Sequence, residues 1–114
     1  MKERIVRTLP ALAGFAALVM MAGCCDEKAL PGAMQRLESS QASERNQALH
    51  VVGRCGQRAE SAVPTIARLM YDKNVGVASS AAYALRKIDT PSARAALQAA
   101  EEARRQKKAA RLKR

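Results

Sequence analysis

The sequence predicts an all-α protein: a short α-solenoid of about two and a half helical-hairpin repeats behind an N-terminal signal segment. Three observations carry that expectation. Apolar residues make up 48% of the 114-residue chain, yet aromatics only 3%, with no Trp, so alanine supplies much of the apolar count. Alanine is the best helix former and buries little surface, which suits thin, closely packed helix interfaces, and no period-2 alternation suggests a sheet. From Ala29 onward the chain repeats itself at an offset of 33 residues. Residues 1–23 have the layout of an export signal, which leaves about 90 residues for one small domain.

The signal segment opens with Lys2, Arg4 and Arg7 against Glu3. Thr8 through Gly23 then carry no charge and include Phe15, Leu18, Val19, Met20 and Met21. This apolar run is shorter than the roughly 20 residues of a membrane span, and small residues close it before Cys24. Met21-Ala22-Gly23-Cys24 resembles the lipobox of bacterial lipoproteins, with Met21 standing where the family has Leu. The resemblance implies a diacylglycerol on the Cys24 thiol, cleavage between Gly23 and Cys24, and acylation of the new amino group. Cys25 is a poor alternative, because a cysteine would then precede the cleavage site where the family has Gly, Ala or Ser. Two or more acyl chains anchor stably, at about 0.8 kcal/mol per buried methylene. An uncleaved signal-anchor helix is the other reading. Both place the remaining chain on the periplasmic or outer side. The family's inner-membrane retention signal is Asp directly after the lipidated cysteine. Cys25 occupies that place and Asp26 follows it, which favours the outer membrane. Residues 24–28 read as a short polar tether.

In the repeat, Ala29-Leu30-Pro31 recurs as Ala62-Val63-Pro64, Leu37 as Met70, Ala48 as Ala81, Val52 as Leu85, Arg54 as Lys87 and Cys55 as Ile88. The first helix of copy two is expected from about Ser61 to Tyr71, with Val63, Ile66, Ala67 and Met70 on its apolar face. Pro64 is tolerated only in a first turn, which sets the start near Glu60 or Ser61. Asp72-Lys73-Asn74 makes a turn with Asn74 as N-cap. The second helix follows from about Val75 to Ile88, facing inward with Val77, Ala81, Ala84, Leu85 and Ile88. Copy one supplies Leu30, Ala33, Met34 and Leu37, then Ala48, Val51, Val52 and Cys55. Thr90-Pro91 reads as N-cap and first residue of the next helix, whose apolar content is Ala95, Ala96, Leu97, Ala99, Ala100 and Ala103. Such units do not bury their apolar faces alone. Two and a half of them imply marginal stability, or completion of the stack by a partner or a second copy.

The ankyrin Thr-Pro-Leu-His signature and the large aromatics of tetratricopeptide repeats are both missing. Ala62-Val63-Pro64, Asp72, Val77 and Ala81-Ala82-Tyr83-Ala84-Leu85-Arg86-Lys87-Ile88 instead resemble the short HEAT-like repeats found in phycobilin lyases. That pattern has an Arg after the Val. Copy two has Ala78 there, while copy one keeps Arg45 but has Glu44 for the Val, so an arginine ladder is incomplete. The lyase resemblance is one of repeat type and does not carry function. The repeat domain is placed at 29–100.

Residues 101–114 hold seven cations, Arg104, Arg105, Lys107, Lys108, Arg111, Lys113 and Arg114, against Glu101 and Glu102. They carry half of the chain's net charge of +10. Acid first and base last suits a helix dipole, so a solvated helix end is the plain reading. Contact with anionic lipid or an acidic envelope polymer is the functional one. The tail lacks stacking aromatics and the chain is expected to be exported, which argues against nucleic acid.

His50 is the single histidine, with no ligand spacing around it, so no metal and no cofactor is expected. Cys55 falls at the position of Ile88 and reads as a buried apolar residue. An oxidising compartment also permits its pairing with Cys25. No nucleophile–base arrangement or Gly-rich phosphate loop is present, and catalytic residues are not expected. The functional expectation is an exported, lipid-anchored module that binds another envelope protein. The alternatives are an electrostatic adaptor acting through the tail and, more weakly, a cofactor-handling protein of the lyase type.

Overall fold

The computed structural model describes residues 25–114. Residues 1–24, with the expected signal segment and Cys24, lie outside the described residues. Five α-helices follow one another, with no strand among the described residues: α1 (Leu30–Arg36), α2 (Ala42–Arg54), α3 (Val63–Leu69), α4 (Val75–Ile88) and α5 (Pro91–Leu112). A 3-10 helix, Gly56–Ala62, runs directly into α3.

The two copies are built alike at their turns. Ser39 and Asp72, 33 residues apart, each turn the chain into a second helix. Ser39 Oγ accepts from the Gln41 amide at 3.2 Å, and Asp72 Oδ1 accepts from the Asn74 amide at 2.8 Å. Asn74 then caps α4 by accepting from the Val77 amide at 3.1 Å, whereas Gln41 caps α2 without a side-chain bond. Asp89, in the left-handed region at φ 49°, ends α4. Thr90 Oγ1 accepts from the Ala93 amide at 3.3 Å and Pro91 opens α5. The expected bounds of α4 and the start of α5 therefore match the structure.

Copy two departs from expectation before Pro64. Instead of an α-helix from Ser61, a 3-10 helix fills Gly56–Ala62 and the α-helix begins at Val63. Proline has no amide to bond to residue 60, so regular α-hydrogen bonding begins only with Pro64 in the first turn. The non-helical backbone of Ala59 (φ −93°, ψ 18°) marks the kink. Gly56, at φ 56°, reverses the chain out of α2 in a conformation that glycine adopts without Cβ strain.

The hairpins α1–α2 and α3–α4 stack through their second helices. Adding a Cβ to Gly53 would bring it within 3.3 Å of Ala84 Cα, so this glycine lets α2 and α4 approach closely. Leu37, Leu49, Val52, Ile66, Val77, Leu85 and Ile88 are the largest fully buried side chains. The sequence pattern anticipates all of these but Leu49. Helix α5 packs on both α3 and α4, in the place of the first helix of a third hairpin. Its inward stripe is Ala93, Ala96, Leu97 and Ala100. Of the other apolar residues of this stretch, Ala95, Ala99 and Ala103 are exposed. Every residue from Glu101 onward is exposed.

Residues 25–28, read in the sequence as part of a short polar tether, make contacts with the domain. Cys25 is disulfide-bonded to Cys55, with the Cα atoms 4.4 Å apart. Glu27 pairs with Arg58, and the Asp26 carbonyl accepts from the Ala29 and Leu30 amides at 3.1 and 3.2 Å. A covalent bond and a hydrogen-bonded turn leave this segment no slack as a spacer.

Candidate interaction surface

Three groups of polar side chains stand out, and the first is structural. Arg45 projects from α2 across the seam between the copies. Its Nε donates to Asp72 Oδ2 at 3.0 Å and its Nη2 to Asp72 Oδ1 at 3.1 Å. Its Nη1 donates to the Ser39 carbonyl at 2.8 Å. The two side chains keep only 15% and 10% of their exposure. The Asn74 amide, and then the Arg45 guanidinium, hold the Asp72 carboxyl below its ordinary range against the opposing effect of burial. Ser80 donates to Asn46 across the same seam, and Arg68 pairs with Glu38 at 3.0 Å on the outside. These bonds fix the register of one copy on the other. Asp72 is thus a turn and seam residue, and Arg45 has a partner although Ala78 ends the arginine series.

The second group is a ridge along the second helices. His50 and Arg54 on α2 correspond by the 33-residue offset to Tyr83 and Lys87 on α4, and all four are exposed. Tyr83 keeps 49% of its exposure, with Lys87 Nζ 5.4 Å from its ring centre. Helix α4 contains no acidic residue, and Glu44, the sole acid in α2, is bonded by Ser39. The ridge is therefore neutral to basic and carries an aromatic.

The third group is the tail. All seven of its cations are exposed, and none forms an ion pair among the described residues. Arg104, Lys107, Lys108 and Arg111 line one strip, spaced at i, i+3, i+4 and i+7. Like charges at these spacings each cost a helix about 0.2–0.5 kcal/mol, so the strip stands as a concentrated cationic face, with Glu101, three residues before Arg104, the nearest acid on that face.

Of the other residues singled out in the sequence, His50 is exposed on the ridge, and Cys25 and Cys55 are bonded to each other. Cys24 lies outside the described residues. Among the described residues no group of three or more His, Cys, Asp or Glu is placed to hold a metal ion. No helix among them is long and apolar enough to cross a membrane. Sequence reasoning missed Glu60, whose carboxyl is held below its ordinary range by hydrogen bonds from Ser92 and Thr90. It also missed the Glu27–Arg58 pair. Both pairings close turns at the end of the domain that carries the disulfide, and neither has a spacing that a linear pattern would flag.

A family model described as HEAT repeats matches residues 15–112. No curated protein and no solved structure matches the chain.

Proposed function

Because the chain belongs to the HEAT-repeat family, we propose that it is an exported, lipid-anchored interaction module that presents its second-helix ridge to another protein of the cell envelope. The ridge carries the reading: His50, Arg54, Tyr83 and Lys87 form an exposed basic and aromatic strip on a rigid two-helix platform. Tyrosine and arginine are the residue types that dominate binding energy at interfaces, and stacked helical repeats offer extended surfaces for partners. The lipid anchor rests on Met21-Ala22-Gly23-Cys24 and the signal layout before it.

The platform is small. Helix α4 has 14 residues, so two adjacent helices of about 21 Å at about 10 Å spacing offer roughly 400 Å². A stable interface uses about 800 Å² per partner, so the ridge needs a further contact to hold a partner for long. A photo-crosslinking residue at Tyr83 is expected to capture one defined envelope protein in cells. The same residue at Arg68, on the outer side, is expected not to. Equal capture from both positions refutes the ridge. The intact mass of protein extracted from membranes, beside Cys24→Ser, tests the anchor. The expected product starts at Cys24 with acyl groups and is lost in the variant, whereas a full-length unmodified chain refutes the anchor.

A second reading is favoured by the tail alone. The strip Arg104, Lys107, Lys108 and Arg111 would make the protein an electrostatic adaptor toward anionic lipid or polymer. Deleting residues 104–114 abolishes that role but leaves the ridge itself, read by the Tyr83 crosslink, in place.

A further inference from the structure

The cationic strip of the tail continues the buried face of α5. Ala93, Ala96, Leu97 and Ala100 point into the repeat core, and Arg104, Lys107, Lys108 and Arg111 follow at the same three- and four-residue steps. One helical face is thus apolar where the domain lies beneath it and cationic where the domain ends. The place of that change is fixed by the fold. Helix α4 ends at Ile88, beside the disulfide end of the domain, since a Cβ on Gly56 would lie 3.8 Å from the Lys87 carbonyl oxygen. Helix α5 starts at Pro91, after two intervening residues, and is held to the same end by the Ser92–Glu60 bond. It then runs back along α4, which is about 21 Å long. Arg104 lies about 20 Å along α5 and Arg111 about 30 Å. The strip therefore begins level with the first turn of α4 and overhangs the opposite end of the domain.

That opposite end carries the two most exposed large apolar side chains outside the tail among the described residues. Tyr71, in the turn after α3, keeps 62% of its exposure, and Val75, which opens α4, keeps 78%. The acid between them, Asp72, is already engaged by Arg45. The overhang thus combines four unpaired cations with an exposed aromatic and an exposed valine, and no free acid stands between Tyr71 and Val75.

We infer that this overhang is a docking site for an acidic segment of a partner protein that also carries apolar or aromatic side chains. The inference rests on the reading of the chain as a protein-binding module and adds a second contact, beyond the ridge, that supplies the area the ridge lacks. A simple polyanion would use the strip but leave Tyr71 and Val75 unused, and the vesicle arm of the test separates a bilayer from a protein segment. A segment with both kinds of side chain uses both.

The test is the binding of labelled polymers to the full mature chain, with its disulfide intact, at physiological salt. The probes are a glutamate–tyrosine copolymer, polyglutamate, inorganic polyphosphate and vesicles of phosphatidylcholine with phosphatidylglycerol. The copolymer is expected to bind most tightly. Neutralising the strip (R104Q, K107Q, K108Q and R111Q together) weakens it by about thirtyfold, from a few-fold per exposed charge. Tyr71→Ser with Val75→Ser, both at exposed positions, removes the preference for the copolymer over polyglutamate while leaving polyglutamate binding unchanged. Equal or tighter binding of polyphosphate or vesicles overturns the proposal, as does a preference that survives the Tyr71 and Val75 changes. Tyr83→Ser leaves copolymer binding unchanged. If it abolishes binding instead, the acidic contact belongs to the ridge, which overturns this site but not the interaction-module reading. If none of the four probes binds, the overhang is refuted while the Tyr83 crosslink still judges that reading.

Discussion

The seam between the two copies makes a quantitative prediction. Arg45 and Asp72 form a two-bond pair at 3.0 and 3.1 Å, with side chains 15% and 10% exposed. Fully exposed ion pairs contribute about 0.2–1 kcal/mol, whereas removing one member of a buried pair costs about 3–5 kcal/mol. This pair stands nearer the buried limit but keeps some solvent at each end. Arg45 also retains its bond to the Ser39 carbonyl when Asp72 is changed. Asp72→Asn preserves an oxygen for the Asn74 amide and so removes mainly the charge. It is expected to cost about 2–4 kcal/mol, and Arg45→Met a similar amount. The double variant should be less destabilised than the sum of the two, by about 1.5–3 kcal/mol, since neither charge is then left alone. In a domain of this size each kcal/mol shifts Tm by roughly 4–8 °C, so either single variant melts well below the parent. Denaturant titration followed by circular dichroism, on all four chains with the disulfide intact, measures the cycle. A coupling under about 0.5 kcal/mol would mean that the pair behaves as a surface pair, and would refute its assignment as the staple between copies.

Reducing Cys25–Cys55, which closes a loop of 30 residues, should lower stability by about 3–4 kcal/mol in a chain-entropy estimate, read as a fall in Tm with reductant that Cys55→Ser reproduces without it. Gly53→Leu should destabilise by about 1–3 kcal/mol or more, because a Cβ alone already meets Ala84 Cα at 3.3 Å; an unchanged denaturation midpoint would refute the close helix approach. The folded-state carboxyl of Asp72 is depressed below its ordinary 3.8, so its stabilisation is complete above that value and lost as pH falls through the lower folded value. Acid titration of Asp72→Asn should show a shallower loss of stability over that range than the parent. Deleting residues 104–114 should change stability by less than about 0.5 kcal/mol, since every residue removed is exposed.

The parts of the fold readable in the sequence are those with local causes. Asn74 and Thr90 are side-chain N-caps, Pro91 belongs in a first turn, and α4 repeats its apolar residues at helical spacing, so its bounds and the start of α5 follow from neighbouring residues alone. Elements with non-local causes are not readable in this way. The 3-10 helix from Gly56 to Ala62 depends on a glycine at φ 56° and on Pro64, and its residues show no three-residue pattern that separates them from α-helix. The stripe of α5 is not readable because nearly every candidate is alanine, and alanine on an exposed face is indistinguishable in sequence from alanine on a buried one. Arg45 is recognisable as a pattern residue, but its partner lies 27 positions away in the other copy. The cationic strip is legible as composition. Its alignment with the buried face of α5, which gives it a direction, requires the phase that Ala93 sets.

The 33-residue offset also shows where the two copies differ at the seam. The position of Gly53 in copy one is filled in copy two by Arg86, which is exposed. Gly53 allows α4 to come within contact of α2, while a long charged side chain at the same place on α4 prevents a third second-helix from approaching in the same way. Arg45, which staples copy one to copy two, has Ala78 as its counterpart, so no equivalent staple is offered onward. Both substitutions fall on the edge of α4 that a further repeat, or a second copy of the chain adding repeats in register, would have to cover. The residues that make the seam are thus changed on α4, and α5 covers an apolar edge with small side chains before becoming cationic. What the short stack loses in core it recovers at its other end, where the disulfide cross-links the first described residue to the end of α2. The surfaces left exposed to a partner are the Tyr83 ridge and the overhang of α5.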